Sequence, residues 1–233
     1  MQPYDSTLSS KAFGDLADPG LIVAYQSHQD ALRFITAALG RGNGVALLRG
    51  PRGSGKSTTL REQFAALAGD GAVAMVEGNQ LTPRTLVKIM LEQFGIDVPP
   101  LDDDQRLLQR LSAFLTEKAL AGETPVLIID DADKASSSVL RLLNWLAALE
   151  SRDRFGLRLL LAGQDRLLSL VNDHGMRHVA RRHPALYSLN PLNQQEAVSY
   201  LRTRWIAAGR NDGEDAFSLD VCARLHEVSG GWP

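Results

Sequence analysis

At 233 residues, 44% hydrophobic and 22% charged, the chain has the composition of a folded globular protein and not of a disordered or low-complexity one. A formal net charge of −2 and a pI near 6.2 exclude a global electrostatic pull toward nucleic acid or anionic membrane. A single cysteine, Cys222, excludes a disulfide framework and a cysteine-based metal site, and fits a reducing, cytoplasmic compartment.

The first residues, Met1 to Ser6, have neither the basic start nor the apolar stretch of a signal peptide. No apolar run approaches a membrane span, so direct membrane insertion of this segment is not expected. Residues 1–23, with Pro3, Gly14, Pro19 and Gly20, read as a loosely structured arm. From Ser27 to Leu39 the stripe Ala31, Leu32, Ile35, Ala38, Leu39 has helical spacing, closed by the glycine-rich Gly40–Gly44.

The short apolar run Val45–Leu48 then reads as a buried strand. It feeds Gly50-Pro51-Arg52-Gly53-Ser54-Gly55-Lys56-Ser57, which fits G-x-x-x-x-G-K-[ST], the phosphate-binding loop of nucleotide triphosphatases. Glycines let successive backbone N–H groups turn inward into an anion nest. Lys56 has the reach and charge for β/γ-phosphates, and the Ser57 hydroxyl suits a Mg²⁺ position. The helix expected from about Lys56, with Ser57 and Thr58 in its first turn, points its positive end at the same phosphates. Residues Gly50 to Thr58 are therefore the expected ATP contacts.

A second strand is expected at Ala72–Val76, and Thr82-Pro83 opens a helix as N-cap and first position, stopped at Gly95. Asp102-Asp103-Asp104 begins another helix running to about Leu120. Pro125 precedes the apolar strand Val126–Ile129, which ends in Asp130-Asp131, 74 residues after Lys56, and has the form of a Walker B strand. Such a strand delivers its carboxylate to the sheet edge where phosphate and metal sit. Asp130 is the expected Mg²⁺ ligand and Asp131 the group that orients or deprotonates the attacking water. Rapid hydrolysers usually carry Glu at the second position. Aspartate is one methylene shorter, a displacement of roughly 1 Å that can slow turnover about a hundredfold. Asp133, two residues on, is a second candidate for orienting that water, but is rather expected to cap the following helix, Val139–Leu149.

Leu157–Leu161 is a further strand, with Arg158 its one oddity, leading into Gln164, a γ-phosphate sensor candidate or a helix start. Between Arg152 and Arg210 ten arginines face four acidic residues. The densest basic segment, Met176–His183, has three readings: an arginine finger reaching a neighbouring subunit's ATP, with Arg181 or Arg182 as that arginine, a nucleic-acid phosphate contact, or a solvated face. After Pro191 only helices are expected, Gln194–Ala208 and about Leu219–Val228. Alternating strands and helices argue for a parallel sheet covered on both faces, with a boundary near Asn190-Pro191. The expected layout is an arm to residue 23, an α/β P-loop NTPase core over 24–190, and a partial all-helical lid over 191–233.

From about Ala24 to Pro233 the ordering resembles the AAA+ ATPase domain of the ExeA/GspA group, which is linked to type II secretion and has relatives in pilus biogenesis and DNA transposition. Tyr25–Leu32 is similar to that family's lead-in helix, and Ala162–Leu167 to its sensor 1 segment, with Gln164 in the polar position. Arg177 through Leu192 resembles the family's arginine run before a Leu-x-Pro-Leu turn. Glu196, Tyr200, Leu201, Arg204 and Ala208-Gly209 match its first lid helix. Ser229–Pro233 resembles the turn that precedes its sensor 2 arginine. The resemblance implies Mg²⁺–ATP bound between core and lid, ATP-dependent self-association and a cell-envelope assembly partner. Two departures stand out: Asp130-Asp131 replaces the usual Asp-Glu, and the sequence stops inside the lid, as a fragment of a longer, membrane-anchored protein would.

Three other functions compete with an ATP-hydrolysing assembly motor. A DNA-dependent ATPase of the transposition target-selection type would turn the Arg152–Arg210 excess toward DNA, but the pI and the lack of a Lys-rich arm count against it. A nucleotide switch with little hydrolysis fits the Asp131 substitution. A small-molecule kinase would need an acceptor pocket for which no constellation is evident.

Overall fold

The structure is a computed structural model that describes residues 12–13, 23, 25–40, 44–69, 71–151, 154–209 and 212–233. Apolar alternation along short strands builds its centre. On β1 (Val45–Arg49), Val45 and Leu47 face one side while Ala46 and Leu48 face the other. The same alternation runs along β2 (Val73–Glu77), β3 (Val126–Asp130) and β6 (Arg158–Gly163). A strand apolar on both sides has to be covered on both. The helices supply the covers.

On one face lie α3 (Pro83–Gln93), α4 (Asp104–Leu120) and α5 (Ser137–Ala147), which bury Leu86 and Met90, Leu107, Leu111 and Leu115, and Val139 and Leu143. On the other lie α1 (Gln26–Gly40), with Ala31, Ile35, Ala38 and Leu39, and α2 (Lys56–Ala68), with Leu60. The spacing of these residues at three and four is the helical stripe read from the sequence. Thr82 caps as expected, its hydroxyl accepting from Thr85 N at 3.1 Å with Pro83 in the first turn; within the acidic run that starts α4, Asp103 is the cap and accepts from Arg106 N at 2.8 Å. Asp133 does not cap α5. Ser136 does, accepting from Val139 N at 3.4 Å, because the chain makes a 3₁₀ turn at Ala132–Lys134 before the helix starts.

Five parallel strands stand in the order β2-β3-β6-β1-β7, where β7 is Ala185–Ser188. Register places Arg49 beside Gly163 and Ser188, and Glu77 beside Asp130, so β1, β3 and β6 all end at one edge. A two-stranded hairpin, β4 (Glu150–Ser151) with β5 (Arg154–Phe155), lies between α5 and β6. The short helices α6 (Arg166–Val171) and α7 (Arg177–Arg181) connect β6 to β7. Neither β7 nor the hairpin was expected from the sequence.

Beyond Pro191 the described chain is helical: α8 (Gln194–Ala207), α9 (Gly213–Ala216) and α10 (Leu219–Ser229). The expectation of a loose arm over 1–23 lies outside the described residues except for Ala12, Phe13 and Val23. Phe13 packs its ring against Trp205 and Phe217, with centroids 6.4 and 5.9 Å apart, and Arg204 of α8 donates to the Ala12 carbonyl. No described helix is long and apolar enough to cross a membrane.

Candidate active site

Strand β1 carries the chain to the sheet edge, where Gly50 N donates to the Gly163 carbonyl at 3.2 Å. The Gly50–Ser57 loop therefore leaves the sheet pinned to the end of β6. Within it Gly53 and Gly55 have φ of +79° and +85°, the left-handed region open to glycine. Close approach makes a second demand: a Cβ at Gly55 would lie 2.2 Å from His28 Nε2, and one at Gly50 2.4 Å from Ser54 Oγ. The fully buried Ser54 hydroxyl has no hydrogen-bond partner.

Lys56 spans the mouth of the loop, donating to the carbonyls of Gly50 and Pro51, both at 2.9 Å. Burial lowers its pKa from the ordinary lysine value, and Asp131, Asp130 and Asp133 oppose that shift, in this order. Parallel pairing of both β1 and β3 with β6 brings the acidic end of β3 to the same sheet edge as the loop. Ser57 and Thr58 are half-buried in the first turn of α2, and Arg52 is exposed on the loop.

Asp130, the last residue of β3, is buried, and one carboxylate oxygen accepts from Asp131 N at 2.9 Å. Asp131 takes a left-handed conformation at φ 47°, turning the chain sharply at the strand end. Its carboxylate pairs with Lys134 at 2.5 Å, and that contact raises the Lys134 pKa. Asp133 is buried with Oδ1 unpartnered, pressed against Gly163, where a Cβ would lie 2.5 Å away. Gln164 follows at the end of β6, half-buried at the same edge, and its carbonyl accepts from Leu167 N at 2.9 Å. The edge thus gathers Gly50–Thr58, Asp130, Asp131 and Gln164.

The two arginines separate. Arg181 is exposed at the end of α7. Arg182 departs from the expectation of a trans-acting finger: it is 3% exposed, its guanidinium stacks on Phe155 at 3.9 Å, and Nη2 donates to the Leu157 carbonyl at 2.9 Å. Burial lowers its pKa to about 10, which leaves it charged near neutrality. A side chain held this way braces the start of β6, at the edge away from the loop, and does not project toward a second copy.

Three contributors went unread in the sequence. Tyr25 and His28, 5% and 4% exposed, lie behind the loop with rings 4.0 Å apart and both meet the Ser54 carbonyl, Tyr25 Oη at 3.0 Å and His28 Nε2 at 3.2 Å. Lys134 is the third, and its spacing of three from Asp131 was the only signal for it. The helices after Pro191 reach the same place: Gln26 N donates to Glu196 Oε1 at 3.1 Å, and a Cβ at Gly53 would lie 3.7 Å from the Pro233 carbonyl.

A buried cation in a glycine nest, faced by paired carboxylates at the carboxyl end of a parallel sheet, can bind a polyanion and a divalent ion together. A family model described as an AAA domain matches residues 39–171, more than half of the chain. General secretion pathway protein A of Aeromonas hydrophila is 29% identical over 97% of this chain, which spans 41% of that protein's length. Among solved structures, Cdc6p from Pyrobaculum aerophilum superposes with a TM-score of 0.66 at 18% identity, over 91% of this chain and 59% of that one. The Aeropyrum pernix ORC2 protein in its ADPNP–ADP complexes gives 0.63 at 17%, over 95% and 67%. At those identities the likeness is one of fold.

Proposed function

The chain belongs to the AAA domain family, and from that premise we propose that it is a Mg²⁺-dependent ATP-binding and ATP-hydrolysing unit that drives or regulates assembly of a cell-envelope machine. The observation that carries the nucleotide reading is that Lys56, in its glycine loop after β1, and Asp130 and Asp131, at the end of β3, lie at one edge of the parallel sheet. The residues present fit the ligands. The Lys56 ammonium, now donating to two loop carbonyls, can exchange them for phosphate oxygens as acceptors, and the unpartnered Ser54 hydroxyl holds a further donor in the loop. Among the described residues no group of three or more His, Cys, Asp or Glu side chains is arranged to hold a metal. Mg²⁺ held by one carboxylate, one hydroxyl and phosphate oxygens requires no such cage.

In this reading the backbone N–H groups from Gly50 to Thr58 and the Lys56 ammonium bind the phosphates. Ser57 and Asp130 hold Mg²⁺, which when bound neutralises charge on the phosphates. Asp131 orients the attacking water and takes its proton, and Gln164 sits where the γ-phosphate is sensed. Arg181, exposed on α7, acts across an interface between copies. Asp131 is short for its task and is engaged by Lys134, so turnover is slow. The division into a core over 24–190 and a helical lid over 191–233, and a cytoplasmic location, belong to the same proposal.

The envelope role rests on the identity to general secretion pathway protein A across nearly the whole chain. The test is ATP turnover by the purified chain with Mg²⁺, with its mass in solution measured with and without ATP. Turnover coupled to ATP-driven self-association and indifferent to added DNA is expected. Several-fold stimulation by DNA would replace the envelope role with a DNA-linked one, and tight binding without turnover would leave a switch.

A further inference from the structure

We propose that Tyr25 and His28 are positioning residues for nucleotide binding, which fix the Ser54 carbonyl and thereby aim the Gly55 N–H into the loop. The inference rests on the nucleotide-binding reading. The Ser54 C=O and the Gly55 N–H belong to one planar peptide and point in opposite directions. A loop nest binds anions only while its N–H groups converge and its carbonyls turn away. Glycine on the far side of that peptide, at φ +85°, leaves the plane free to rotate. An outside hold is needed, and two side chains supply it.

Tyr25 Oη donates to Ser54 O at 3.0 Å, and His28 Nε2 lies 3.2 Å from the same oxygen, which as an acceptor requires the proton on Nε2. Both side chains are buried, and their rings pack at 4.0 Å, so neither can leave without the other losing contact. The Ser54 carbonyl thus has both lone pairs occupied. The two residues between them turn the other way: Asn190 N donates to Ser27 Oγ at 2.8 Å, and Gln26 N to Glu196 Oε1. One four-residue turn therefore holds the loop with its outer members and the segment around Pro191 with its inner ones.

The test is the equilibrium affinity for ATP with Mg²⁺ of wild type, Tyr25→Phe, His28→Met and His28→Gln, with thermal stability measured on each. Removing one of two hydrogen bonds to a buried carbonyl is expected to weaken binding about fivefold in Tyr25→Phe and in His28→Met. His28→Gln places an amide N–H where Nε2 stood and is expected to return affinity to within about twofold of wild type. A packing role alone predicts the opposite order, with Met tolerated and Gln impaired, and that order would overturn the proposal. Wild-type affinity in both Tyr25→Phe and His28→Met would overturn it too. If Tyr25→Phe does not fold, the two His28 variants decide. Should the wild type bind no ATP, the nucleotide reading itself has failed, an outcome distinct from equal binding by all four proteins.

Discussion

Gly55→Ala isolates how tightly the loop is built. The substitution meets two separate obstacles. An L-residue at φ +85° is strained by about 1–2 kcal/mol. The new Cβ would also stand 2.2 Å from His28 Nε2, which no contact tolerates, so the imidazole must move. Moving it breaks the bond to the Ser54 carbonyl, worth about 1 kcal/mol, and forces the ring away from its packed rotamer at a further cost of about 1 kcal/mol. The sum is about 3–4 kcal/mol. For a chain of this size it corresponds to a melting temperature lower by roughly 6–16 °C. The assay is calorimetric or fluorescence-monitored melting of Gly55→Ala, His28→Ala and the double variant. Relief of the clash but not of the φ strain predicts that the double variant is more stable than the sum of the single losses by about 1–2 kcal/mol. Strict additivity, or a Gly55→Ala protein that melts with wild type, would refute the contact between His28 and the loop.

Other consequences follow from the same geometry. Asp131→Asn should abolish turnover while leaving ATP affinity within a few-fold, and Asp131→Glu should raise turnover, up to about a hundredfold if one methylene is what limits it; single-turnover kinetics separates the two. Lys134→Ala removes the cation paired with Asp131 at 2.5 Å and so frees that carboxylate for water, and it should raise turnover at saturating ATP without changing ATP affinity by more than about twofold. Arg182→Met should lower stability by about 2–4 kcal/mol, leaving the Leu157 carbonyl without its donor, whereas Arg181→Ala should leave the melting temperature unchanged and reduce turnover only at concentrations where copies associate. Burial lowers the His28 pKa below its ordinary 6.5, so the unfolded chain takes up a proton first as pH falls. Stability should accordingly decline as pH drops below about 6.5, by at most about 1.4 kcal/mol per unit, and level off once the folded-state pKa is passed; His28→Gln should remove that slope from a urea-melt series.

Legibility in the sequence tracked the range of the interactions. Alternation in β1 and β3, the stripe of α1 and the Thr82-Pro83 cap are written within a few residues, and the elements stand where those signals put them. The glycine loop was readable because its spacing is itself the structure. Strand β7 was missed because Ala185–Ser188 is four residues long and half-polar, and it becomes a strand only through its pairing with β1. Asp133 looked like a cap on spacing alone, yet the 3₁₀ turn shifts the helix start to Ser136 and buries the carboxylate against Gly163. The burial of Arg182 depends on Phe155 and Leu157, more than twenty residues earlier, and no local pattern distinguishes it from exposed Arg181 beside it. Tyr25 and His28 likewise act on a carbonyl 29 and 26 residues away. Their sequence neighbourhood shows a helix start and nothing of what they hold.

The central claim is that Lys56 and its loop bind ATP in the presence of Mg²⁺. Equilibrium binding of ATP to wild type and to Lys56→Ala, with melting temperatures checked in parallel, tests it most directly. Among the described residues Lys56 Nζ bonds the carbonyls of Gly50 and Pro51 and no side chain, so the variant should fold normally. Saturable, Mg²⁺-strengthened binding by wild type with none by Lys56→Ala is the expected result, and equal affinity in the two folded proteins would contradict the account.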